Sequence, residues 1–153
     1  MKKNGFTLIE LIVSLAILML LSTMGVSMVK DFNGTQKLES AKEEILANLR
    51  VARNYAMTNQ LPDGADRVLF NLNSTGDLII KPQNSAGDIG SSIFLVKDLF
   101  TSEIGATFVG SNIVFSVTDG RSLSGDIGIT LFSSPTNTTK NILIQSSGNI
   151  YEK

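Results

Sequence analysis

Residues 11–29 carry no charged side chain, and Glu10 stands directly in front of them. Extended back to Phe6, the segment has 24 residues with Glu10 as its one charge. As a helix rising about 1.5 Å per residue it would reach about 36 Å, enough to cross a hydrocarbon core of about 30 Å with some tilt. Lys2 and Lys3 precede it, and Lys30 and Asp31 close it without net charge. The positive-inside rule then puts the N-terminus in the cytoplasm and the remainder across the membrane. A cleaved secretory signal fits poorly, because its apolar core is about 7–15 residues and ends in a small-residue site. A plain anchor leaves Glu10 unexplained. Deep in a bilayer a carboxylate costs about 2.5–3.5 kcal/mol, so this one calls for a cationic partner.

Composition removes most catalytic chemistry. The chain has 13 Lys+Arg against 14 Asp+Glu, a formal net charge of −1, and neither histidine nor cysteine. Cys/His zinc sites, thiolate nucleophiles and Ser-His-Asp triads are excluded. Neither phosphate-binding glycine motif occurs. Asp63, Asp66, Asp77, Asp88, Asp119 and Asp126 do not follow EF-hand spacing, so no calcium site is expected. The expectation is a chain without enzymatic activity, metal or cofactor. From Pro62 onward there are six basic and nine acidic residues, with no basic cluster. Nucleic acid is therefore not an expected partner.

After Asn33-Gly34, which interrupts the apolar pattern, Leu38, Ala41, Ile45, Leu49, Ala52 and Ala56 recur at intervals of three or four. That is one face of a helix. Lys37, Glu39, Lys42, Glu43, Arg50 and Asn54 are read as lying largely away from it. The helix is expected to end near Asn59–Gln60, since Pro62 disfavours the helical region at Leu61.

Beyond Pro62 short apolar runs alternate with turn residues, the pattern of an all-β region. Residues 67–72 and 78–80 flank a hairpin loop at 73–77. Further strands are expected at 93–96, 107–109, 113–117, 127–132, 142–144 and 150–151, with Asp119-Gly120 as a turn. Residues 133–141 are read as the connection between two of them.

Lys2-Lys3-Asn4-Gly5-Phe6-Thr7-Leu8-Ile9-Glu10 resembles the prepilin leader of type IV pilins and type II secretion pseudopilins. Leu49-Arg50-Val51-Ala52-Arg53-Asn54-Tyr55-Ala56, and a Gly148-Asn149 turn before a final strand, resemble the GspH/FimT-type minor pilins and pseudopilins within that family. The resemblance implies cleavage after Gly5, N-methylation of Phe6 by a prepilin peptidase, and an assembly role for Glu10. Methylation would keep the new α-amine cationic, and a neighbour's Glu10 could pair with it, offsetting the desolvation of both charges.

It also implies an α+β, pilin-like fold: a long N-terminal helix, soft at Gly25 and Gly34, packed on a C-terminal antiparallel β-rich domain. The expected segments are a leader at 1–5, a membrane and filament-core helix at 6–29, its amphipathic continuation at 30–61, and a β-rich domain at 62–153. The implied function is a structural subunit, minor pilin or pseudopilin, of a type IV pilus-like or type II secretion filament. A major pilin, a DNA-binding minor pilin for natural transformation and a membrane-tethered binding domain are the alternatives. The implied partners are prepilin peptidase, other pilin subunits and an inner-membrane assembly platform. The implied location is the cytoplasmic membrane, single-pass, with the C-terminal domain outside.

Overall fold

The computed structural model describes residues 6–58, 60–73, 75–96, 99–100, 103–109 and 112–153, with backbone alone at 24–27, 94–95 and 108–109. Among the described residues one helix, α1 (Leu8–Thr58, 51 residues), is followed by nine strands. The chain divides into two compact units, Met1–Asn33 and Gly34–Lys153, and α1 contributes to both.

In the second unit the strands form two antiparallel sheets. One contains β1 (Arg67–Leu72), β2 (Leu78–Asn84), β3 (Gly87–Asp88), β4 (Phe94–Val96) and β6 (Asn112–Ser116), in the order β3-β2-β1-β6 with β4 also on β2. The other runs β5 (Ile104–Val109), β7 (Ile127–Ser133), β8 (Thr138–Ile144) and β9 (Ile150–Glu152). Period-two burial marks the inner faces: Leu78, Ile80 and Pro82 on β2, and Ile127, Ile129 and Leu131 on β7, point to the core. Pro82 is tolerated inside β2 because β3 and β4 pair with that strand only on either side of it.

All six residues of the expected helical stripe are buried, and they share one core with both sheets, including Phe70, Phe115, Ile129 and Ile142. The fold is therefore the expected α+β arrangement of a long helix packed on antiparallel sheets. The helix runs on through Asn33-Gly34, where the apolar pattern changes, as the expected single long helix. Gly34 is buried against the β7–β8 turn, where a Cβ would lie 2.9 Å from the Thr136 methyl group. Its smallness serves close packing against that turn. The connection read at 133–141 is shorter than expected. Register pairs from Ile127↔Ile144 to Ser133↔Thr138 extend both strands, and Asn137 takes the left-handed conformation (φ 52°) in the remaining turn.

Lys42 requires a second correction. Read as facing away from the stripe, it is 2% exposed. It follows Leu38 by four and precedes Ile45 by three, so it lies within the buried arc. Its ammonium contacts Glu39, Glu152 (2.8 Å) and Glu43 (3.4 Å). Lys140 on β8 reaches Glu39 at 3.4 Å and Glu152 at 3.5 Å. The cluster ties α1 to the two last strands. Burial alone would lower the Lys42 pKa, but the bonds from Glu152, Glu39 and Glu43 outweigh it and hold it above the ordinary lysine range.

Lys42→Met keeps the apolar stem and removes the charge. The half-exposed carboxylates stay hydrated, so a loss of about 1–2 kcal/mol is expected, read as a lower thermal midpoint. Hydrogen bonding to Lys42 holds the Glu39 and Glu152 carboxyls below their usual range. Groups with lowered folded-state pKa stabilise above the unfolded value, about 4.3, and lose that contribution as pH falls through the folded value. The thermal midpoint should thus stay level from neutral pH to about 5 and fall below about 4.3. In Lys42→Met that acid slope should be shallower.

Candidate functional site

The first unit shows how an apolar helix can begin with a charge. Thr7 is the N-cap of α1 and Glu10 is the third helical residue. The Glu10 carboxylate accepts the Thr7 backbone N–H at 3.2 Å and the Thr7 hydroxyl at 3.2 Å, while the Glu10 N–H donates to the Thr7 Oγ1 at 3.4 Å. This is a reciprocal capping box, and it places a negative group at the positive end of the helix dipole. The signal was present in the sequence as Thr-x-x-Glu before an apolar run. The charge of Glu10, which calls for a cationic partner, masks this local signal.

Within the run, Ser14 Oγ donates to the Glu10 carbonyl at 2.7 Å, Ser22 Oγ to the Leu18 carbonyl at 2.7 Å and Thr23 Oγ1 to the Leu20 carbonyl at 2.8 Å. Their hydroxyls are satisfied on their own helix, as a lipid surrounding requires. Leu11, Leu15, Leu18, Leu20 and Leu21 are exposed around the helix, and the segment is long and apolar enough to cross a membrane.

Of the site residues expected from sequence, Phe6 is 87% exposed one residue before the N-cap, and Glu10 is exposed on the first turn. Gly5 lies outside the described residues. Among the described residues no cluster of acidic side chains capable of holding a metal ion occurs.

Residues 1–26 match the family model described as "Prokaryotic N-terminal methylation motif". No curated protein matches the chain by sequence. Among solved structures the fold is similar to that of the minor pseudopilin EpsH from the Type 2 Secretion System of Vibrio cholerae, at 10% identity and a TM-score of 0.53. The match covers 74% of this chain and 93% of that one. The chain thus carries an N-terminal methylation motif and a fold similar to that of a minor pseudopilin.

Proposed function

We propose that the chain is a structural, non-catalytic subunit of a type IV pilus-like or type II secretion filament, in the role of a minor pilin or pseudopilin. The observation that carries this reading is the N-terminal methylation motif leading into a helix with exposed apolar side chains, whose continuation packs on two antiparallel sheets. The segments proposed are a leader at 1–5, a membrane and filament-core helix at 6–29, its amphipathic continuation at 30–61 and the domain at 62–153. Before assembly the helix anchors the subunit in the cytoplasmic membrane, with the C-terminal domain outside. Afterwards it packs among other subunits in the filament. Prepilin peptidase, neighbouring subunits and an inner-membrane assembly platform are the partners this requires.

Processing follows from the helix N-terminus. Cleavage after Gly5 makes Phe6 the first residue and places a cationic α-amine beside the positive end of α1, an unfavourable position for a cation. A Glu10 carboxylate, from the same chain or a neighbour, offsets it. Intact-mass analysis of the mature protein should show loss of Met1–Gly5 and gain of one methyl group. A mature chain that keeps Lys2-Lys3, or begins inside the apolar run, would overturn the assignment.

A further inference from the structure

The second unit has a groove of about 260 Å³ beside the end of α1, lined by Arg50, Arg53, Asn54, Asn149, Ile150 and Tyr151. No carboxylate lines it. Among the described residues Lys37, Lys42, Arg67, Lys81, Arg121 and Lys140 each pair with a carboxylate, whereas Arg50 and Arg53 pair with none, as do Lys30 and Lys153 away from the groove. Three residues apart on one helix, they are neighbours of like charge about 5–6 Å apart at their Cβ atoms. Such a pair is unfavourable unless an anion lies between or beside it.

Arg53 is held more tightly than a solvated surface cation. Its Nε is buried and has no hydrogen-bond partner. Buried donors are rarely left so, and the omission is costly. Two turns confine it. A Cβ at Gly120 would stand 3.4 Å from Arg53 Nε, and one at Gly148 3.1 Å from it. Both glycines have positive φ, 66° and 81°. Asn54, Asn149 and Tyr151 add amide and hydroxyl donors around the two cations. The chain therefore assembles a concave, donor-rich, doubly cationic surface and supplies no counter-charge of its own.

We propose that this groove is an oxyanion-binding site that takes one carboxylate or phosphate group, held jointly by Arg50 and Arg53. The site does not depend on the filament assignment. The group is either an acidic side chain of a polypeptide or a free anion, and a titration separates the two.

The chain has four arginines, Arg50, Arg53, Arg67 and Arg121, so the full-length protein in non-ionic detergent micelles gives a simple spectrum of arginine Nε–H signals. Acetate, inorganic phosphate and tetraglutamate are added at constant ionic strength. Saturable shifts of the Arg50 and Arg53 signals are expected in the millimolar range, with Arg121 unmoved. Arg50→Gln, at an exposed position, leaves folding intact and should weaken binding about tenfold. Arg53→Lys keeps the charge but removes the planar fork and should also weaken it. Tetraglutamate binding more tightly than phosphate identifies a polypeptide source, and the reverse a free anion; either supports the site. Absence of a saturable shift with all three anions overturns it, as do shifts that spread equally to Arg121 or survive Arg50→Gln unchanged.

Discussion

Gly148→Ala should lower the thermal midpoint of the C-terminal unit by about 10 °C, a large effect for a single methyl group. Gly148 has φ 81°, where alanine is strained by about 1–3 kcal/mol. In addition its Cβ would stand 2.2 Å from the Gly120 carbonyl oxygen, a backbone atom that cannot swing aside. The turn before β9 is thus pressed against the turn after β6, and both sit over Arg53. Gly128→Ala is the matched control, because its Cβ would meet nothing within 4 Å and its φ is ordinary. It should be nearly silent. Unfolding of the full chain in micelles can be followed by tyrosine emission, since Tyr55 and Tyr151 both belong to the second unit and there is no tryptophan. Equal midpoints for the two variants would mean that the turns are free to separate.

Most strands were legible because they carry a local signal, but β3 was not, since Gly87 and Asp88 are turn-type residues held only by pairing to β2. The short apolar run from Val68 to Leu72 and the turn residues at 73–77 specify a hairpin, and the register Leu72↔Leu78 closes it as expected. The division into two sheets was not legible. β5 and β6 are adjacent in sequence, yet β6 pairs with β1 and β5 with β7. Nothing within either strand records that choice, which is made by pairing across long stretches of chain. The strand ends at Ser133 and Thr138 were not legible for a related reason: polar residues there read as loop, but ladder pairing between β7 and β8 carries them.

Side-chain roles followed the same division. The apolar stripe identified the buried face of α1, but the residue classes hid Lys42, whose spacing places it inside that face while its charge argues for solvent. Its three carboxylate contacts come from Glu39 and Glu43 nearby and Glu152 at the far end of the chain. The distant partner could not be read from α1 alone. Likewise Arg50 and Arg53 were legible as a motif, whereas the groove they share with Asn149 and Tyr151 exists only once β9 is in place.

Glu10→Gln should leave the helix start intact and sharply reduce incorporation into filaments, if the subunit assembles as proposed. The structure sharpens this substitution, because the carboxylate has two separable tasks. As a cap it accepts from the Thr7 N–H and hydroxyl, and a glutamine carbonyl at the third helical position does the same. As a charge it would, in the proposed filament, neutralise a Phe6 α-amine, which glutamine cannot do. Membrane insertion should persist or improve, since no carboxylate then enters the apolar phase. Cleavage after Gly5 should also persist, as the bond and its neighbours are unchanged. Glu10→Ala removes both tasks and should in addition fray the first turn, at a cost of about 1 kcal/mol. The comparison is made by complementation of a deletion strain, with mature-protein mass and membrane content measured alongside filament incorporation. Loss of assembly in both variants, with normal processing in Glu10→Gln, assigns the effect to charge. Full assembly of Glu10→Gln would instead leave docking to apolar helix packing, with Glu10 serving only to start the helix.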